Sequence, residues 1–122
     1  MIATLLSFAA PSSGGSLSAR KYTMTLAATE YGWTGAQHRA LDELVGPESG
    51  WNPCRRYPST TDCAYAGSNS CGIPQATPCP SAWRGRLASS WREQVRWLLS
   101  YIERRYHDPV SASAFRRSHN WY

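Results

Sequence analysis

Glu48-Ser49-Gly50-Trp51-Asn52-Pro53 places a carboxylic acid where a helix gives way to small, aromatic and turn-forming residues. Leu41, Leu44 and Val45 fall on one side of a helix, and Glu48 continues that side at the i, i+3, i+4, i+7 spacing. The carboxyl is therefore expected to face the core or a cleft. An acid so placed either pairs with an arginine or the backbone, or acts as a general acid, because burial disfavours a carboxylate's charged form. The run after Glu48 favours the acid. A second segment, Gly72-Ile73-Pro74-Gln75, combines a residue that permits close backbone approach, a stiffening proline, and an amide with both donor and acceptor capacity. Alone it reads as an ordinary turn. Asp62 lies between the two segments as an exposed loop acid beside a cysteine, with activation of a water as its less ordinary use. His38, His107 and His119 are far apart and lack paired metal-ligand spacing, so they are expected at the surface or at helix ends, and no metal or cofactor is expected.

Helices must carry these residues. Thr23 to Tyr31 reads as a short helix broken at Gly32. Thr34 and Gln37 form the pattern of a capping box opening the helix that leads to Glu48, with Gly46-Pro47 predicting a kinked last turn. A second capping box, Ser90 with Glu93, opens a helix with Trp91, Val95, Leu98, Ile102 and Tyr106 on one face, stopped by Pro109. Trp97 and Tyr101, four residues apart, flank that face either as core packing or as the wall of a cleft for sugars. No alternating β-branched run exists to build a substantial sheet, so the fold class is all-α or nearly so, with one long loop.

At 122 residues the chain is long enough for one domain with its own core. Residues 1–21 read as a flexible lead segment or weak export signal, and residues 22–122 as the domain. The apolar run from Ile2 to Ala10 is too short to span a bilayer, and no membrane span is expected. Of 13 basic residues, 12 are arginines, against 8 acidic residues. That balance suits anionic partners, but the arginines are scattered and follow no nucleic-acid-binding motif, so they read first as a solvated surface and second as an attractor. Cys54, Cys63, Cys71 and Cys79 all lie in the loop. Their gaps are wide for zinc, and two bridges between sequence neighbours, Cys54 with Cys63 and Cys71 with Cys79, need the least ordering of the chain. Disulfides imply an oxidising compartment.

The order Glu48-Ser49-Gly50-Trp51-Asn52-Pro53, Gly72-Ile73-Pro74-Gln75-Ala76, Trp97-Leu98-Leu99-Ser100-Tyr101-Ile102 and Arg105-Tyr106 resembles the soluble lytic transglycosylase domain. It is most similar to the small secreted and phage-borne actinobacterial type, which also ends in Asn-Trp-Tyr, here Asn120-Trp121-Tyr122. The resemblance covers Tyr31 to Tyr122. It implies a lysozyme-like helical domain, peptidoglycan glycan strands as the partner with no nucleic acid, a monomeric state, and a place outside the cell or in its wall, by secretion or with a phage particle. It also implies cleavage between N-acetylmuramic acid and N-acetylglucosamine with formation of an anhydro end. By resemblance Glu48 is the catalytic acid, Ser49 its orienting neighbour, Gly72, Ile73 and Gln75 the glycan-binding second motif, and Tyr101 the tyrosine of the helix beyond. Pro47 before the acid is a departure, and the third motif, Ala-Tyr-Asn, stands here as Ala114-Phe115-Arg116 with no contact assigned. The alternatives are a goose-type-like muramidase using Asp62, and a wall-binding module without catalysis.

Overall fold

The structure is a computed structural model that describes residues 15–58 and 60–122. Four helices carry the chain: α1 (Gly15–Tyr31), α2 (Ala36–Ser49), α3 (Trp91–Tyr106) and α4 (Pro109–His119). The only sheet among the described residues is a two-stranded antiparallel ribbon, β1 (Arg55–Arg56) with β2 (Thr60–Thr61), in which Arg55 faces Thr61 and Arg56 faces Thr60. The molecule is mainly helical, as the lack of strand patterning requires.

Helix α1 begins at Gly15, about two turns before the expected start at Thr23. Ala19, Thr23, Leu26 and Ala27 lie on its buried side at helical spacing, and Thr23 Oγ1 donates back to the Ala19 carbonyl at 2.7 Å. Arg20 holds both carboxylate oxygens of Asp42 on α2, at 2.8 and 2.6 Å. Residues 15–21 are thus part of the folded unit, whereas residues 1–14 of the expected lead segment lie outside the described residues.

Neither expected capping box forms. Helix α2 starts at Gly35, whose φ of 54° takes it into the turn without a side-chain cap, and Gln37 turns its Oε1 to the Val110 N–H at the start of α4, at 2.9 Å. Ser90 donates its hydroxyl to the Leu87 carbonyl instead of capping α3, and Glu93 pairs with Arg86. At α2 a tertiary partner displaces the local one, and at α3 the preceding turn does so. Pro109 ends α3 as expected, but it also opens α4. Proline's missing N–H costs nothing in a first helical turn, and Asp108 caps the helix by accepting from the Ser111 N–H at 2.8 Å.

Helix α2 packs on α4, α1 on α3 and α3 on α4, around a core that includes Leu41, Leu44, Val45, Leu98, Leu99 and Ile102. The long loop has a small core of its own, with Cys54, Cys71, Ala76, Cys79, Trp83 and Leu87. Two disulfides join Cys54 to Cys63 and Cys71 to Cys79, the pairing expected from sequence proximity. They fit a secreted, extracellular protein. No described helix is long and apolar enough to cross a membrane.

Candidate active site

The end of α2 aims the acid. Gly50 adopts the left-handed conformation, φ 61° and ψ 29°, and its N–H closes the helix onto the Gly46 and Val45 carbonyls. The chain then folds back on itself. Trp51, itself at φ 64°, is fixed by its N–H on Ser49 Oγ at 3.2 Å and by its indole N–H on Asp42 Oδ1 at 3.2 Å. Ser49 is buried, and its hydroxyl donates to the Ile73 carbonyl at 2.7 Å. One short side chain therefore joins the helix bearing Glu48 to the segment bearing Gln75.

That segment is held from behind by Gln94, which is fully buried on α3. Gln94 Oε1 accepts the Ile73 N–H at 2.8 Å, and its amide donates to the Leu87 carbonyl at 2.9 Å and to Ser90 Oγ at 3.0 Å. Gly72 makes room for it: at φ 81°, a Cβ there would stand 2.7 Å from Gln94 Oε1. Gln75 spends its amide hydrogens on the Arg55 and Gly72 carbonyls, at 3.1 and 2.9 Å. Its Oε1 accepts no hydrogen bond from a described residue, so this glutamine offers a ligand an acceptor and not a donor.

These supports open onto a cleft. A cavity of about 240 Å³ is lined by Glu48, Gln75, Pro74, Tyr57, Trp121 and Tyr122, among others. A smaller one of about 120 Å³ continues past Pro74, Gln75 and Tyr122 to Trp97 and Tyr101. The rings of Trp97 and Tyr101 are stacked, with centroids 5.1 Å apart and planes 6° from parallel. Tyr101 in turn meets the edges of Tyr106 and Tyr122. The aromatic pair of α3 serves both readings of the sequence, packing on the core and walling the cleft.

The Glu48 side chain is 30% exposed and makes no hydrogen bond to a described residue, but it forms an ion pair with Arg116 on α4, whose Nε stands 3.8 Å from Oε2, beyond hydrogen-bonding reach. Beside it the Tyr122 hydroxyl is buried without a partner. Burial pushes the Tyr122 phenol far above its ordinary range, and the nearby Glu48 charge pushes in the same direction. It remains a neutral hydroxyl throughout the working range of pH.

The structure brings Glu48, Gln75 and Tyr101 to one cleft and leaves Ser49, Gly72 and Ile73 out of its lining. Ser49 and Ile73 are buried, at 1% and 0% exposure, so these three residues shape the cleft from behind instead of touching what enters it. Asp62 is exposed in the loop, accepts the Ala64 N–H at 3.1 Å, and lines neither cavity. His107 and His119 are exposed, and no group of three or more acids, histidines and cysteines suited to a metal occurs among the described residues. Tyr57, Trp121 and Tyr122 were not assigned from sequence, because only the folded loop and the tail after α4 bring them to Glu48.

No protein-family model, curated protein or solved structure matches the chain. What the cleft does is read from its own side chains.

Proposed function

We propose that the protein is a peptidoglycan lytic transglycosylase with a lysozyme-like architecture, acting outside the cell on wall glycan. One observation carries the reading: among the described residues Glu48 is the only acidic side chain lining the cleft, and its oxygens are free of hydrogen bonds to them. Glycosidases that use a protein nucleophile or an activated water need a second carboxylate about 5 to 9.5 Å from the first. A transglycosylase does not. Glu48 in its acid form gives its proton to the glycosidic oxygen as the bond from that oxygen to the anomeric carbon breaks. The substrate's own acetamido group stabilises the positive charge that develops at carbon. The muramic acid's primary hydroxyl then attacks the anomeric carbon, and Glu48 takes up the proton released. One side chain thus serves both steps, and no water is consumed.

Mass spectrometry of digested peptidoglycan tests the proposal. Anhydromuramoyl ends are expected, with no oxygen incorporated from labelled water, and Glu48→Gln is expected to abolish turnover while leaving glycan binding intact. Reducing ends carrying solvent oxygen would make the protein a hydrolase. Binding with no product from the wild-type protein would make it a wall-binding module.

A further inference from the structure

Two of the few large hydrophobic side chains that the described surface leaves exposed, Tyr57 at 61% and Trp121 at 49%, both line the cavity that contains Glu48. They come from opposite regions of the sequence. Tyr57 follows β1, where its N–H donates to the Ser70 carbonyl at 2.8 Å. Trp121 lies in the tail, which Asn120 turns back from α4 through a left-handed φ of 63°. Around the tryptophan stand Phe115, edge-on at 4.9 Å between centroids, His119, at 6.1 Å, and the Arg105 guanidinium, 5.5 Å from its ring centroid, yet it stays 49% exposed.

An exposed aromatic ring costs free energy in water that burial against an apolar surface recovers. A pyranose ring has such a surface in its axial C–H face, and an aromatic face, carrying the negative side of its quadrupole, attracts those hydrogens. Polar groups surround the rings: the Gln75 oxygen, the hydroxyls of Ser70 and Thr77, and Glu48. Apolar plates with a polar rim match a sugar and not a purely apolar ligand.

We propose that Tyr57 and Trp121 are sugar-binding plates that seat pyranose rings of an N-acetylated glycan beside Glu48. The assignment rests on the glycan-cleaving reading and is tested apart from it. In the Glu48→Gln background, binding of soluble uncrosslinked peptidoglycan strands is measured by calorimetry for the parent and for Tyr57→Ala, Trp121→Ala, Tyr57→Phe and Trp121→Phe. Each alanine is expected to weaken binding by on the order of tenfold, the effect of truncating an aromatic anchor, while each phenylalanine stays within a few-fold of the parent. Alanine variants that bind like the parent, or a parent that binds no strands, would overturn the proposal. Cleavage is scored separately with Glu48 intact. Turnover by Glu48→Gln would sink the catalytic reading alone, and unchanged binding beside normal Glu48-dependent cleavage would sink the plates alone.

Discussion

Glu48 and Gln94 show two uses of a polar side chain on a helix face. Glu48 lies seven residues after Leu41 and reaches the rim, where its oxygens stay open to the cleft. Gln94 shares a face with Leu98 and Ile102 and is fully buried, with its amide satisfied by backbone and a serine. The spacing marks Glu48 in the sequence, whereas Gln94 is not among the residues it singles out. It does not say which backbone groups will meet the buried glutamine, since the loop brings the Ile73 N–H and the Leu87 carbonyl to Gln94. Gln94→Leu is expected to cost about 1–3 kcal/mol, because it leaves the buried Ile73 N–H without an acceptor. Gly72→Ala, with its positive φ and a Cβ set against the same amide, is expected to cost a similar amount. Both should also weaken glycan binding well below their melting temperatures, by moving Gln75. Leu26→Ala, a destabilised control in the core away from the loop, should leave binding unchanged; equal losses in all three variants would show that Gln94 and Gly72 serve stability alone.

Among the elements, regular helix faces were legible and helix ends were not. The apolar side of α2 and most of that of α3 follow from periodicity, which depends only on residues within a few positions. The capping boxes failed for two reasons: Gln37 bonds to a partner in α4 that sequence distance hides, and Ser90 turns its hydroxyl back to the carbonyl three residues before it. The start of α4 went unread although Asp108-Pro109 is a good opening for a helix, since a proline there also reads as a stop. The disulfides were legible because short closures leave little choice. They support the element with the weakest core. Each closes a loop of 9 or 8 residues, worth about 2.5 kcal/mol in the chain-entropy account. Reduction is therefore expected to lower the melting temperature by roughly 10 °C or more. Below that transition, the reduced protein should keep most of its helical circular dichroism, because the helical core contains no cysteine, while glycan binding falls as Gln75 and Tyr57 lose their frame. Loss of helix and binding together would show that loop and helices unfold as one.

At the scale of the whole molecule, charge is the property most fully legible in the sequence and least tied to the fold. The formal net charge is +5, and only Arg20, Arg86, Arg96, Arg116 and Arg117 have carboxylate partners within 4.0 Å among the described residues. Except for Arg116 with Glu48, these pairs are well exposed, so each contributes little to stability. The remaining arginines leave the molecule with a net positive field, and the proposed ligand belongs to an anionic polymer network. Such a field raises the local concentration of substrate and is screened by salt, the Debye length falling from about 10 Å at 0.1 M to about 3 Å at 1 M. On cell walls that retain their anionic polymers, raising salt from about 0.05 to about 0.5 M should lower kcat/KM several-fold through association. On strands stripped of those polymers and with their remaining carboxyl groups amidated, the decline should be much smaller, because the proposed sugar contacts at Gln75, Tyr57 and Trp121 carry no net charge. Initial rates on the two substrates across the salt series decide the matter. A flat response on intact walls would return the arginines to a solvating role, and an equal decline on both would place the salt effect in the protein or in the chemistry at Glu48.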